Sequence, residues 1–232
     1  MTLLSQEIRV DWAGEELLAQ PEKVLWWPRV SALLVADMHL GKIGHFRKAG
    51  IPLPMSSAQA AMDKLDQVVR RLKPERLLVL GDLTHSAWNK ELQVFQAWRA
   101  SHEQLVVELV RGNHDIIADQ LLKDFKMQDL GVVHREGGLE LTHDPEENIL
   151  LEEGYCRLAG HVHPGVRLTG KARQSMRLPC FYFGQKLGLL PAFGAFTGKA
   201  RINPANGDRV IVIAGDRLVD MEVGDDEPAV DC

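Results

Sequence analysis

No apolar run in this chain is long enough to cross a membrane. The longest, such as Leu77–Leu80 and Val210–Ala214, fall far short of the ~18 residues that a transmembrane helix needs. The opening MTLLSQEIRVDW lacks the basic start, apolar core and small-residue cleavage site of an export signal. Cysteine is scarce. Cys156, Cys180 and Cys232 are odd in number and lack metal-type spacing, which argues against a disulfide framework or a zinc ribbon. A reduced, cytoplasmic compartment is the expectation. One stretch also lacks acid. Between Gly154 and Gly207 there is no Asp or Glu, against Arg157, Arg167, Lys171, Arg173, Arg177, Lys186, Lys199 and Arg201. The remaining sequence holds 19 basic and 32 acidic residues, so the net charge of −5 conceals a basic segment. That asymmetry points to a positive face for a polyanion.

What the chain does have is ordinary globular material. Its 232 residues are 45% apolar and 25% charged, enough for one large domain or two small ones with a substantial core. No internal repeat or low-complexity linker interrupts it. Residues 1–223 are read as a single domain, and the acidic, proline-containing 224–232 as a tail without stable structure.

In the first half strands alternate with helices. Ile8–Trp12 and Glu16–Ala19 flank Ala13-Gly14 as a hairpin, and Lys23–Trp27 and Ser31–Ala36 read as further strands. Ala61, Leu65, Val68, Val69 and Leu72 follow helical spacing after Ser56-Ser57, with Pro74 just beyond. Arg76–Leu80 and Leu105–Val110 are buried strands separated by a helix near Lys90–Ser101. Past residue 130, short strands punctuated by glycine and proline take over. Val133-His134 is followed by Arg135–Gly138, which reads as a hairpin turn. This division predicts two sheets packed face to face with helices outside.

Strand ends carry the chemistry. Leu33–Ala36 leads into Asp37-x-His39, Leu77–Leu80 into Gly81-Asp82, and Leu105–Val110 into Gly112-Asn113-His114-Asp115. Later, Leu141-Thr142 leads into His143, and Gly160 into His161-x-His163. In open α/β sheets, ligands bind beyond the carboxyl ends of strands. Carboxylate, imidazole and amide together form the mixed ligand set of a transition-metal site. Each piece alone is weak: Gly-Asp turns are common, and Asn113-His114-Asp115 could cap a helix. Their order, each at a strand end, is what gives the pattern its meaning.

In that order the motifs resemble those of the calcineurin-like metallophosphoesterases over about Leu33 to Thr197. The resemblance implies an α/β fold, a four-layer α/β/β/α sandwich, with two divalent transition-metal ions. Asp37, His39 and His163 would hold one ion, Asn113, His143 and His161 the other, and Asp82 would lie between them. His134 rivals His143 as the isolated histidine; His143 is preferred because it ends a strand. His114 would face the scissile phosphate, oriented by Asp115, while His45 and His102 have no motif support. The chemistry implied is hydrolysis of a phosphoester by metal-activated hydroxide.

Further segments are similar to one clade of that family, the bacterial DNA-ligase-associated metallophosphoesterases. They are Gly41-Lys42, Phe46-Arg47-x-x-Gly50-Ile51-Pro52, Leu178-Pro179-Cys180-Phe181 and the run from Leu190 to Gly198. That likeness implies a manganese-dependent DNA endonuclease in repair, associated with a ligase, a helicase and an exonuclease. Single-stranded or flapped DNA would be held by its phosphodiester backbone. Gly81-Asp82-Leu83-Thr84-His85 is similar to the Gly-Asp-x-x-His of Mre11-type nucleases, which places His85 near the DNA path; a turn-capping role for His85 is the alternative. Lys42, Arg47 and Lys48 are candidate phosphate contacts, against the default of solvated charge. A small-molecule phosphodiesterase or nucleotidase is the main alternative function, and a non-catalytic interaction module the weakest. The Trp26-Trp27 pair and the Leu189–Phe196 run are expected in the core rather than on a partner surface.

Overall fold

The computed structural model describes residues 4–42, 44, 50, 56–84, 90–113, 115, 119–169 and 175–222. Its strands form two sheets. The first has seven strands in spatial order β2 (Ile8–Trp12), β3 (Glu15–Gln20), β4 (Val24–Trp27), β5 (Ala32–Ala36), β6 (Arg76–Leu80), β7 (Val106–Val110) and β8 (Met127–Asp129). β2 to β5 are antiparallel neighbours, as short turns such as Ala13-Gly14 require, whereas β5 to β8 run parallel. Each parallel connection passes through a helix: α1 (Ser56–Leu72), α2 (Lys90–Ala100) and α3 (Asp119–Asp124). Because β5 to β8 are laid down in sequence, right-handed crossovers put all three helices on one side of the sheet. Met62, Leu65 and Val68 of α1 and Leu92 and Phe95 of α2 pack there against Leu33, Val35, Leu77 and Val79.

The second sheet runs β1 (Leu4–Ser5), β17 (Arg217–Glu222), β16 (Arg209–Ala214), β13 (Ser175–Phe183), β14 (Leu187–Leu189), β11 (Cys156–Ala159), β10 (Leu139–Thr142) and β9 (Val133–Glu136). β12 (Pro164–Thr169) and β15 (Ala200–Arg201) branch from it beside β13. Alternation along its strands separates two apolar faces. Phe181, Phe183, Ile211 and Ile213 point inward with Leu34, Leu78 and Trp27 of the first sheet. Cys180, Val210 and Val212 point outward and are covered by Val166, Leu178 and Ile202. Two mixed sheets stacked face to face and flanked by helices make the α/β/β/α sandwich. No helix among the described residues is long and apolar enough to cross a membrane.

The turn expected at Arg135–Gly138 is shorter than its composition suggested. β9 continues through Glu136, and only Gly137-Gly138 form the bend. A side chain at Gly138 would run into the Ala13 backbone, so the tip of this hairpin is pressed against the β2–β3 turn. Trp27 is buried as expected, and it donates from Nε1 to Glu15 Oε2 at 2.7 Å. Phe196 departs from expectation: at 45% exposure it is not a core residue. The 224–232 tail lies outside the described residues.

Candidate metal centre

Carboxyl ends of parallel strands from both sheets meet at one place. Asp37 follows β5 and Asp82 follows β6; His143 follows β10, and His161 and His163 follow β11. The loops are tied together before any side chain takes part. His39 and Leu40 donate backbone N–H bonds to Asp82 O and Leu83 O at 2.8 and 2.9 Å, and Gly160 donates to His143 O at 3.0 Å. A Cβ on Gly81 would strike the His143 ring, and one on Gly160 would lie 2.6 Å from Asp37 Oδ2. Those glycines let the strand ends approach closely enough for their neighbours' side chains to converge.

Backbone strain gathers at the same place. Asp37, His39, Asp82, His161 and His163 all have left-handed φ values, between +47° and +62°. For residues other than glycine this conformation costs on the order of 1–3 kcal/mol each, and it persists where the surroundings over-determine it.

The side chains form two histidine pairs around two buried carboxylates. His39 Nε2 lies 3.3 Å from His163 Nε2, with the rings T-shaped. His143 Nε2 lies 3.1 Å from His161 Nδ1, again T-shaped. Asp82 turns Oδ1 toward His143 Nε2, at 3.4 Å, and Oδ2 toward His39 Nδ1, at 3.8 Å. Asp37 Oδ1 lies 3.4 Å from His163 Nε2 and 3.7 Å from His143 Nδ1, while Oδ2 accepts the His161 backbone N–H at 2.9 Å. Asp37, His39 and His163 can therefore surround one ion, as can Asp37, Asp82 and His143.

Metal ions fit these residues. Asp37 and Asp82 are almost wholly buried, and Asp37 Oδ1 accepts no hydrogen bond. Two buried carboxylates among imidazoles leave negative charge that cations would compensate. His143 Nδ1 is 3.4 Å from the Leu80 carbonyl; a proton donated there leaves the Nε2 lone pair facing the centre.

The chain is matched by the calcineurin-like phosphoesterase family over residues 30–162. It belongs to that family. Among solved structures it is similar to the nuclease MPE of Pseudomonas putida, with 30% identity and a TM-score of 0.76 over 93% of this chain and 100% of that one. A protein of unknown function from Aquifex aeolicus matches at 20% identity and a TM-score of 0.39, over 57% of this chain and 78% of the other. No curated protein matches the sequence.

Family membership makes the chain a metal-dependent phosphoesterase with two candidate ion clusters, and the structure locates some of its other candidate residues. Asn113 is exposed at the end of β7. Asp115 is buried, with Oδ1 accepting from Thr84 N at 3.3 Å and Oδ2 from Gly112 N at 2.9 Å, so it pins the loops after β6 and β7 together. Burial pushes its carboxyl up to about 6, although those N–H groups favour the anion. His114, His85, Arg47, Lys48 and His45 lie outside the described residues. Lys42 is half-buried; desolvation lowers its pKa while the Asp37 and Asp82 carboxylates pull it up.

His134 lies on β9, 3.5 Å from Glu136, and belongs to neither cluster. His102 stacks on Trp98 and reaches Asp66 at 3.1 Å, which explains it structurally. Arg157 is withdrawn from the basic face inferred from the sequence: it is buried, with Nε and Nη2 on Glu140 Oε1 at 2.9 and 2.7 Å. Gly194, in the sequence only part of the Leu190–Gly198 likeness, has a support role at the centre, where its N–H holds Asp37 O at 3.0 Å.

Proposed function

We propose that this protein is a DNA phosphodiesterase that cuts within strands, an endonuclease of bacterial repair acting on single-stranded or flapped DNA. The observation that carries the reading is the pairing of His39 with His163 and of His143 with His161 across Asp37 and Asp82, in a chain 30% identical to a nuclease. In this proposal Asp37, His39 and His163 hold one cation and Asn113, His143 and His161 the other. Asp82, with one oxygen toward each histidine pair, lies between them. A pair of divalent cations, Mn²⁺ in this reading, supplies Lewis-acid activation of water and draws charge from the phosphoryl oxygens.

The protein's own groups do the rest. Buried Asp37 and Asp82 keep the cluster anionic, and the Leu80 carbonyl orients His143. In this reading His114 donates a proton to the leaving oxygen and Asp115 orients it. Lys42, Arg47 and His85 meet the phosphodiester backbone. The setting is cytoplasmic, with a ligase, a helicase and an exonuclease as partners by family association. Circles without ends test the reading. Chelator-stripped protein resupplied with Mn²⁺ should linearise circular single-stranded DNA, and Asp82→Ala should not. Intact circles beside brisk hydrolysis of a chromogenic phosphodiester would favour the small-molecule alternative.

A further inference from the structure

Part of the acid-free segment, β12, β13 and β15, forms a small branch of the second sheet that begins beside the candidate centre. In the β12–β13 hairpin Arg167 stands directly opposite Arg177, and in the β12–β15 pair Gly165 stands opposite Arg201. Opposed residues share a face, as do residues two apart on a strand. Arg167, Arg177 and Arg201 therefore project from one side, and all three are exposed. The other side is apolar, with Val166 and Leu178 packed into the core. Lys199 joins the charged face by lying across Gly165, where a Cβ would come within 2.9 Å of Lys199 Cβ. Arg177 Nη1 is already oriented, donating to Lys199 O at 2.9 Å.

Like charges set opposite each other destabilise a sheet, and several arginines elsewhere among the described residues are neutralised. Arg9, Arg29, Arg76, Arg111 and Arg209 each bind a carboxylate. Among the described residues no carboxylate forms an ion pair with Arg167, Arg177, Lys199 or Arg201. The face is also continuous with the centre: β12 begins one residue after His163, and Ala200 N–H donates to His163 O at 3.1 Å.

Close in the chain, on the loop that leads into β15, is an aromatic ring with no place in the core. Phe196 is 45% exposed and has a φ of +58°, a conformation unfavourable for a bulky side chain. It lies three residues before Lys199 and two after Gly194, whose N–H is anchored on Asp37 O. An exposed ring together with a row of cations is the combination that holds single-stranded nucleic acid, with bases stacking on the ring and phosphates meeting the cations. A duplex keeps its bases stacked inside and offers the ring nothing.

We propose that Arg167, Arg177 and Arg201, with Lys199, bind the phosphates of a single DNA strand entering the metal centre, and that a base of that strand stacks on Phe196. This rests on the nuclease reading above and names how that substrate is gripped. The test is cleavage of oligodeoxythymidylate by the Mn²⁺-loaded protein at several salt concentrations. Replacing the three arginines by glutamine should raise KM at least tenfold at 0.15 M salt. It should also reduce the slope of log KM against log salt by about 2, since each single-strand phosphate contact contributes roughly 0.7. Lysine at the same positions keeps the charge and should restore the slope, which separates lost contacts from a disturbed hairpin. Phe196→Ala should raise KM about five- to hundredfold with the slope unchanged, because stacking carries no counterion release.

A glutamine variant with the wild-type KM and slope would overturn the proposal. So would Phe196→Ala with the wild-type KM, since the face would then be a general anion surface. If the wild type hydrolyses a chromogenic phosphodiester but leaves the oligonucleotide intact, the nuclease reading fails. Fluorescence anisotropy of the same oligonucleotide on the wild type and these variants then decides the track separately, with binding unaffected by the substitutions as the contradicting result.

Discussion

At the scale of single residues, the candidate centre depends as much on missing side chains and strained backbone as on its ligands. Gly160→Ala is the sharpest test of that point, because its Cβ would lie 2.6 Å from Asp37 Oδ2 and 2.9 Å from Ala36 Cβ. Asp37 would have to move, so Mn²⁺ affinity should fall about tenfold or more, as when the support of a ligand is disturbed. Isothermal titration would show it; unchanged affinity would mean that the close approach is incidental. The donors themselves were readable in the sequence because each ends a strand: Asp37-x-His39, Gly81-Asp82, His143 and His161-x-His163. Their supports were not. The Leu80 carbonyl at His143 and the Thr84 and Gly112 N–H groups at Asp115 are backbone atoms, present at every position and informative only once the chain is folded.

At the scale of elements, the buried parallel strands β5, β6 and β7 were legible as short apolar runs, and α1 as helical periodicity before Pro74. The two- and three-residue strands β1, β8, β14 and β15 were not, because pairing that short is decided by neighbours rather than by propensity. The same holds for charge. Arg157 reads as part of a basic segment, yet Glu140 stands opposite it on β10 and opposite Arg135 on β9, forming a row across three strands. Glu140 is fully buried, with Arg135 Nη2 at 2.7 Å and Arg157 Nη2 at 2.7 Å. Glu140→Ala should cost about 3–5 kcal/mol, since it leaves Arg157 buried without its counter-charge. Urea unfolding measures this, and a cost below about 1 kcal/mol would show that the Pro145, Glu147 and Ile149 carbonyls to which Arg157 also donates suffice.

At the scale of the whole molecule, two sheets bring ligands from residues 37 to 163 to one edge, and that convergence was legible only as an ordered list of motifs. The sandwich also buries charge that the net value of −5 does not reveal. Lys23 Nζ donates to Ala192 O at 2.9 Å, beside the end of β5. Burial, with Lys64 and Lys199 nearby, lowers Lys23 to about 8. In the unfolded chain a lysine titrates near ~10.4, so between these values the unfolded state holds a proton that the folded state has released. Stability should therefore rise from about pH 8 toward about pH 10.4, and Lys23→Met should remove that part of the rise. Denaturant titrations of both proteins at the two ends of the window would show it, and parallel pH profiles would contradict it.

The central claim is that the converging carboxylates and imidazoles hold two cations at once. Equilibrium dialysis of chelator-stripped protein against Mn²⁺ tests this without reference to any substrate. Two ions per chain are expected for the wild type, falling to one or none in Asp82→Ala. A wild-type chain that saturates with a single ion, or takes up none, would contradict it.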